Sequence, residues 1–404
     1  MLTFTYTARD TASNKQVKST VQADSERAAA KLLIAQGLVP LTVVEQSQGG
    51  NIFDRLTNRI TSKDRVIFTR QLATLINAGL PLAQSLHTVV DQTQNKRLKS
   101  VIQDIITSVE GGKSLADSFA KHPEVFNNVF IALLSAGEAS GTLDKALERI
   151  AEQQEKDAEM LSKVRGAMVY PAIVLTAIVG VIIFMMTTVM PQIESLYKDL
   201  KAQLPFITQV MVAISDFTTH FWWLVILMIV AIIYFTKRYV ATDAGRRMVD
   251  NIKLHLPLFG KMFSKLYMAR FTRTGETLMS TGVPMLEMLR IASKSVNNVI
   301  ISQSIDRAAE KVKGGKALSV ALKNDENILS LVPQMISIGE QSGGIDKMLG
   351  KAATFYENEL DNTIRSISTA IEPILMMVLA VVAGVLVAAI LLPVYGLVGS
   401  GAVH

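Results

Sequence analysis

The sequence predicts an all-α polytopic membrane protein with two duplicated helical bundles, three transmembrane helices and a small N-terminal α+β module. Two observations lead to this prediction. Three apolar segments are each long enough to cross a bilayer, and a set of short motifs occurs twice at a nearly constant spacing. A chain of 404 residues is also long enough for two or three domains.

Residues 1–46 form the predicted N-terminal module, which contains three strands and one helix. Apolar residues alternate with threonine at the start of the chain, and two later runs have a similar β-like composition. A helix capped by Asp24 or Ser25 is expected to end near Gln36. Residues 47–60 include two adjacent glycines and are predicted to be a linker. The strands are expected near residues 2–6, Gln16–Ala23 and Val39–Val44.

The rest of the chain contains an internal duplication. Phe68-Thr69-Arg70 is repeated as Phe271-Thr272-Arg273, which lies 203 positions later. Because the spacing changes by only one residue over the whole matched span, the repeat indicates a duplicated domain. The other repeated motifs are Gly79-x-Pro81 with Gly282-x-Pro284, Gly111-Gly112-Lys113 with Gly314-Gly315-Lys316, Gly137-Glu138-x-Ser140-Gly141 with Gly339-Glu340-x-Ser342-Gly343, and Asp144-Lys145 with Asp346-Lys347.

The two copies are predicted to be bundles of short helices over residues 61–165 and 237–370. Apolar residues from Leu98 onward recur at the spacing of one helical face, and the second copy keeps this pattern with smaller residues. The last helix of the first copy begins at Thr142 and contains no helix breaker before the membrane near Arg165. We therefore expect a continuous helix from the bundle into the membrane.

Three apolar segments are predicted to be transmembrane helices. The first and the third each follow one of the bundles, whereas the second has no counterpart in either copy. Pro171 and Pro373 are expected early in their helices, where a proline is tolerated because its missing N–H would be unpaired there. The segments are residues 168–190, 217–236 and 371–398, and the stretches that follow the first and the third are residues 191–216 and 399–404.

The distribution of positive charge predicts the orientation. Lysine and arginine cluster after the second segment, whereas residues 191–216 carry only two lysines and residues 399–404 carry no lysine or arginine. By the positive-inside bias, the N-terminus and both bundles are predicted to be cytoplasmic, and these two stretches periplasmic. The duplication supports this orientation, because two copies that face the same side require an additional crossing between them.

No catalytic, cofactor-binding or metal-binding group of residues is predicted. The absence of cysteine excludes disulfides and thiolate chemistry, and the five histidines lack metal-ligand spacing. Gly111-Gly112-Lys113-Ser114 resembles the end of a phosphate-binding loop, but Thr107 replaces the required first glycine. A helix that ends in glycine is the simpler interpretation.

Two sets of charged residues leave alternatives open. An acidic run over residues 148–159 is interpreted as a solvated helix face, with a metal site or a contact with a basic partner as the alternative. For Arg70 and Arg273 we favour internal ion pairs, with Glu138 and Glu340 as partners, over a contact surface for another protein. The candidate structural or partner-contact residues are Arg70, Gly79, Gly137, Glu138, Gly141, Asp144, Arg273, Gly282, Gly339, Glu340, Gly343 and Asp346.

The repeated motifs resemble those of the PilC/GspF family, the inner-membrane platform proteins of type IV pilus and type II secretion systems. The resemblance rests on the repeated motifs that begin at Phe68 and Gly137 and on Tyr170-Pro171, and it covers about residues 1–398. It implies a multi-pass protein of the bacterial inner membrane that is not an enzyme and has no cofactor. The implied partners are a cytoplasmic hexameric ATPase, pilins or pseudopilins, other inner-membrane assembly proteins, membrane lipid and further copies in a homodimer or higher oligomer, with no nucleic acid.

The resemblance implies a function as an assembly platform in type IV pilus biogenesis, which couples the ATPase to the insertion or extraction of pilin subunits. Type II secretion, with assembly of a pseudopilus, is the first alternative. A membrane transporter component and a membrane-tethered enzyme are more distant alternatives. No Asp, Glu, Lys or Arg lies after Glu372 or within the other two apolar segments, which argues against a transport path. The lack of a complete catalytic motif argues against the enzyme.

Overall fold

A computed structural model describes residues 2–10, 16–23, 30, 32–33, 38–45, 59–199 and 206–399. Within these residues the chain divides into two units. The first unit contains the residues up to Asp64 together with Thr93–Val101, and the second contains Arg65–Gln92 and the residues from Ile102 onward.

The first unit contains a three-stranded antiparallel sheet. Strand β1 (Leu2–Asp10) lies between β2 (Gln16–Ala23) and β3 (Leu38–Glu45), and Leu2 is opposite Ala23 in the register of β1 and β2. These strands fall on the three runs that the sequence predicts. The helix expected between β2 and β3, and the predicted linker, lie mostly outside the described residues.

The first copy of the repeat folds into short helices followed by one long helix. The long helix continues from the bundle into the first apolar segment, which confirms the predicted continuity. The helices are α1 (Ser62–Asn77), α2 (Leu82–Gln92), α3 (Lys96–Glu110), α4 (Leu115–Ala120), α5 (Asn128–Ser140) and α6 (Leu143–Phe184).

Further helices connect the two copies. Helix α6 passes through a π-helical turn, Met185–Val189, into α7 (Met190–Asp199). Residues 191–216, which the sequence predicts to be a periplasmic loop, are therefore helical at the start and again at the end. The next helices are α8 (Phe206–His220), α9 (Trp222–Val240) and α10 (Asp243–His255).

The second copy repeats the helices of the first. The first residues of the second helices in the two copies are 203 positions apart, and those of the long helices are 202 positions apart. The duplication therefore extends to the helix boundaries. The helices of the second copy are α11 (Gly260–Ser280), α12 (Met285–Ser295), α13 (Val299–Lys313), α14 (Leu318–Leu322), α15 (Leu331–Ser342) and α16 (Ile345–Gly399).

Glycines end the first helix of both copies in the same way. Gly79 and Gly282 have φ values of 83° and 85°, a left-handed conformation that residues with a side chain disfavour. In each copy the next N–H donates to the carbonyl five residues before it at 3.1 Å, as Leu80 does to Leu75. This Schellman motif satisfies carbonyls that the helix end would otherwise leave unpaired.

Buried phenylalanines form the centre of the first copy within the second unit. The ring of Phe119 lies 4.6 Å from Phe126 and 5.0 Å from Phe130, measured between centroids, and Phe68 of α1 lies 6.2 Å from it. All four side chains are fully buried. Burial of each phenylalanine contributes about 1.5–3 kcal/mol of transfer free energy, so this cluster is a major apolar contact between α1, α4 and α5.

Three helices of the described residues have the length and composition to cross a membrane, namely Leu143–Asp199, Trp222–Val240 and Ile345–Leu391. Pro171 lies in the interior of α6, 28 residues after Leu143. The expectation that Pro171 lies early in its helix is therefore wrong, because the bundle helix and the membrane helix are one element. Pro373 likewise lies inside α16.

Apolar packing surrounds the π-helical turn. Met185 is buried together with Met211 of α8 and Ala389 of α16. The hydroxyl of Ser215 in α8 donates to the carbonyl of Met186. Helix α8 is therefore fixed to the first span by packing and by a hydrogen bond.

We expect Gly137→Ala to destabilise the protein. A Cβ atom at Gly137 would lie 2.3 Å from the Cβ of Ala146, so α5 and α6 would have to move apart. Overpacking of this kind costs roughly 1–3 kcal/mol. The thermal unfolding midpoint of the detergent-solubilised protein measures the loss.

Gly166→Ala in α6 is the matched control for this substitution. No atom lies within 4 Å of a Cβ built at Gly166, and alanine is the better helix former. We expect the control to be neutral or slightly stabilised. An unchanged midpoint for Gly137→Ala would contradict the close contact between α5 and α6.

Candidate functional site

Arg70 joins α1 to α6 through two carboxylates. Its Nε and Nη2 atoms donate to the two oxygens of Glu155 at 2.6 Å each, which is a bidentate pair. Its Nη1 atom donates to Glu148, two helical turns earlier in α6. The predicted ion pair is therefore present, but Glu138 as its partner is wrong.

Arg273 makes the equivalent pair in the second copy. Its Nε and Nη2 atoms donate to Glu357 of α16 at 2.9 and 2.8 Å, and its Nη1 atom donates to Glu276 at 3.2 Å. Glu357 follows Glu155 by 202 positions. Both the arginine and its bidentate partner are thus duplicated, and the predicted partner Glu340 is wrong.

The two pairs differ in their exposure to water. The side chains of Arg70 and Glu155 are 31% and 41% exposed, whereas those of Arg273 and Glu357 are 18% and 15% exposed. The hydrogen bond from Arg70 lowers the pKa of Glu155 from its ordinary value. Water screens the second pair less. We therefore expect the loss of either partner to cost more folding free energy in the second copy than in the first.

Glu138 and Glu340 cap short helices instead of binding the arginines. Glu138 accepts hydrogen bonds from the N–H groups of Leu115 and Ala116, at 2.7 and 3.0 Å, where α4 begins. Glu340 accepts from the N–H of Leu318 at 2.6 Å, where α14 begins. A carboxylate at a helix N-terminus satisfies unpaired N–H groups and is favoured by the helix dipole. Both glutamates therefore hold a neighbouring helix in place.

The other predicted positions lie at turns and close contacts of the two copies. A Cβ at Gly339 would lie 2.7 Å from the Cα of Ile345, which matches the close approach at Gly137. Gly141 and Gly343 end α5 and α15 in a left-handed conformation. Asp144 and Asp346 lie in the first turns of α6 and α16, where a negative charge is favourable.

The Gly111-Gly112-Lys113 motif ends α3. Gly112 has a φ of 84°, and the N–H of Lys113 donates to the carbonyl of Ser108 at 3.1 Å. The second copy repeats this bond from Lys316. Because this backbone N–H closes the helix, the motif has the geometry of a helix end and lacks that of a phosphate cradle.

The acidic run of α6 is paired with basic residues at several points. Two of its glutamates bind Arg70, and Glu159 lies 2.9 Å from the Nζ of Lys163. Asp157 lies 3.4 Å from Arg270; burial raises the pKa of Asp157, and the charge of Arg270 opposes this shift. Among the described residues, no group of His, Asp or Glu is arranged to hold a metal ion.

A polar interface joins α6 of the first copy to α11 and α16 of the second. Gln153 accepts a hydrogen bond from Thr277 at 3.0 Å and donates to Thr274 at 3.4 Å. Lys163 donates to Asp361 at 2.7 Å. A groove of about 510 Å³ lies beside these contacts and is lined by residues of both charges. Polar interfaces of this kind are typical of domains that move relative to each other.

Sequence reasoning missed Glu155 and Glu357 as the partners of the arginines. Both residues occur at the 202-residue spacing of the later motifs. A search for repeated charges, in addition to repeated glycines, would have found them. The same search would have separated Glu155 from Glu148 and Glu152, which have no acidic counterpart at this spacing, but it would have kept Asp157 and Glu159, which correspond to Glu359 and Asp361.

Comparison with known proteins supports the duplication. The family model for type II secretion system protein F matches residues 68–191 and again residues 271–393. The family model for the N-terminal domain of that protein matches residues 1–44. The chain belongs to the type II secretion system protein F family. Each of the two longer matches contains one arginine–glutamate pair, and the resemblance to the PilC/GspF family is confirmed.

Individual relatives match almost the whole chain. The type IV pilus assembly protein PilC of Thermus thermophilus is 36% identical over 404 residues, which cover 99% of both chains. PilC of Myxococcus xanthus is 36% identical over 96% of this chain and 94% of its own length. The type II secretion system protein F of Vibrio cholerae is 32% identical over 98% of both chains. Family membership and the three apolar helices together support a multi-pass location in the inner membrane.

We expect Glu357→Gln to destabilise this family member more than Glu155→Gln does. Glutamine removes the bidentate counter-charge and leaves the arginine only its single contact with Glu148 or Glu276. This loss costs roughly 3 kcal/mol for a shielded pair and about 0.5–1 kcal/mol for an exposed one. The free energy of unfolding of each variant in detergent measures the difference. Equal losses, or a larger loss for Glu155→Gln, would contradict the effect of burial.

Proposed function

We propose that this protein is the inner-membrane assembly platform of a type IV pilus, which couples a cytoplasmic hexameric ATPase to the insertion or extraction of pilin subunits. Four relatives named as pilus assembly proteins are 33–36% identical to it, against 32% for four named as type II secretion system protein F. This difference favours the pilus. The alternative is the corresponding protein of type II secretion, which would drive assembly of a pseudopilus.

The continuity between each bundle and its span carries the proposal. Helix α6 has 42 residues and α16 has 55, so at a rise of 1.5 Å per residue they extend about 60 and 80 Å. A helix that belongs partly to a bundle and partly to an apolar span transmits a displacement of the bundle to the membrane. Arg70 and Arg273 fasten the first helix of each copy to these long helices.

The polar interface between the copies supports relative movement of the two long helices. Hydrogen bonds such as those of Gln153 and Lys163 can be exchanged for bonds to water at a net cost of about 0.5–1.5 kcal/mol each. An apolar interface of the same size would resist separation more strongly. We infer that the ATPase acts by shifting one copy against the other.

We propose that the N-terminal module and both bundles face the cytoplasm and that the C-terminus faces the periplasm. Lys237 and Arg238 in the last turn of α9 support this orientation. The ATPase would then contact the bundles, and pilins and other inner-membrane assembly proteins would contact the spans. No residue of α9 is buried, so its surface is free for lipid or for another copy in a homodimer or higher oligomer.

We further propose that the protein catalyses no reaction and carries no solute. The energy would come from the partner ATPase, and the twelve candidate residues would act by shaping the two bundles. The charge-free spans support this, because a transport path normally contains ionisable groups at depth.

We expect reporter fusions after Ile60 and Ile300 to be cytoplasmic and a fusion after Asp199 to be periplasmic. This pattern follows from two copies with the same orientation and one additional crossing between them. Alkaline phosphatase and fluorescent-protein fusions in the native host measure the side. A cytoplasmic position for Asp199, or opposite sides for the other two, would overturn the orientation.

We expect the purified protein in nanodiscs to stimulate the pilus motor ATPase and to hydrolyse no ATP alone. Arg70→Gln should reduce this stimulation severalfold, because it releases α1 from α6. The variant should still fold, since the exposed pair contributes only about 0.2–1 kcal/mol to the free energy of folding. His87→Gln is the matched control, since it removes an exposed contact with Glu110 of α3 and leaves α6 untouched.

Two results would contradict this proposal. Intrinsic ATP hydrolysis would favour an enzyme, and equal stimulation by both variants would remove the Arg70 pair from the coupling path. A deletion strain distinguishes the two machines: loss of surface pili supports the pilus, and loss of protein secretion with normal pili supports type II secretion.

A further inference from the structure

Helix α10 exposes an apolar face on the side away from the second bundle. Met248 and Ile252 lie one turn apart on this face and are 54% and 45% exposed. Asp250 lies on the opposite side of the helix and is buried. Two large apolar side chains of α10 are thus exposed on the side opposite the residue that packs against the second bundle.

The turn between α9 and α10 holds this face at the level of the last turn of the second span. A Cβ at Gly245 would lie 2.0 Å from the carbonyl oxygen of Tyr239, and the hydroxyl of Tyr239 lies 3.9 Å from the sulfur of Met248. If α9 and α10 were one continuous helix, Tyr239 and Met248 would be about 13 Å apart along its axis. The chain therefore turns back, and Met248 stays beside the end of the membrane helix.

A second apolar element lies where α16 approaches the membrane. Leu258 has a φ of 68°, which is unfavourable for leucine, and its side chain is nevertheless 46% exposed. It lines a cavity of about 500 Å³ together with Ile367 and Ala370 of α16. Those residues lie just before Glu372, the last charged residue of the chain. Leu258 and Met248 are therefore each placed next to one end of a membrane span.

The charges around these apolar residues are mainly positive. Arg247 and Lys261 are exposed, and Lys237 and Arg238 lie in the last turn of α9. Asp250 is buried and lies 2.9 Å from Lys253. Asp243, in the first turn of α10, is the exposed acidic residue of this helix.

We propose that α10 and the turn at residues 256–258 form a surface that lies in the headgroup region of an anionic lipid leaflet. The apolar side chains enter the boundary between headgroups and acyl chains, and the basic residues contact lipid phosphates, as in interfacial amphipathic helices. This surface would fix the depth of the second bundle relative to the bilayer. It goes beyond the platform function and does not depend on the motor or on pilins.

Single-cysteine variants provide the test, because the native chain contains no cysteine. A nitroxide label is attached at Met248→Cys or Ile252→Cys in the full-length protein in vesicles. The label reports collisions with oxygen, which dissolves in lipid, and with a nickel chelate, which dissolves in water. Val320→Cys on α14 is the exposed control in the second bundle, and Met228→Cys at the centre of α9 is the membrane control. Vesicles that contain phosphatidylglycerol are compared with vesicles of phosphatidylcholine alone.

In the anionic vesicles we expect nickel accessibility at positions 248 and 252 to be roughly threefold lower than at position 320, because the chelate is depleted below the headgroups. The difference should shrink in phosphatidylcholine and in Arg247→Gln, which removes one basic contact with the lipid. Nickel accessibility equal to that of position 320 would overturn the proposal and leave a protein partner as the occupant of this face. Low accessibility that is the same in both vesicles would overturn the anionic part. Neither result depends on the ATPase assay, so the platform function is tested separately.

Discussion

Each copy of the repeat depends on one arginine held by a carboxylate of its long helix. Apolar packing around Phe68 brings α1 and its neighbours together, but dispersion contacts are non-directional. The planar fork of Arg70 donates to the two oxygens of Glu155 in one orientation only. The pair therefore fixes how α1 is placed on α6. Because α6 is also the first membrane helix, the same bond determines how the bundle is placed relative to the span.

The sequence predicted the elements well and their side-chain partners poorly. Apolar periodicity and glycine helix ends are local signals, so the duplicated helices and the spans could be read from them. The partner of Arg70 lies 85 positions away in the chain, and no local pattern encodes such a contact. The continuity of α6 was predicted correctly, but Pro171 was assigned to the start of the membrane helix, where the composition changes from polar to apolar and α6 has no helix start.

The two copies share one geometry but differ in their surroundings. The pair in the second copy is less exposed than the pair in the first, and the surface between the copies is formed by polar side chains such as Gln153 and Thr277. The second copy also has α10 beside it, and the described residues of the first copy include no equivalent helix. The lipid surface that we propose for α10 would therefore hold the second copy at a fixed depth.

Pro171 and Pro373 occupy equivalent positions, 202 residues apart, in the two long helices. Each proline removes one backbone hydrogen bond from its helix and crowds the preceding turn. Both interruptions fall where the helix leaves its bundle and becomes apolar. Flexural stiffness is therefore lowest where the helix reaches the membrane surface, so a sideways load on a bundle bends the helix at this point, and displacement along the helix axis is the component that reaches the intramembrane part.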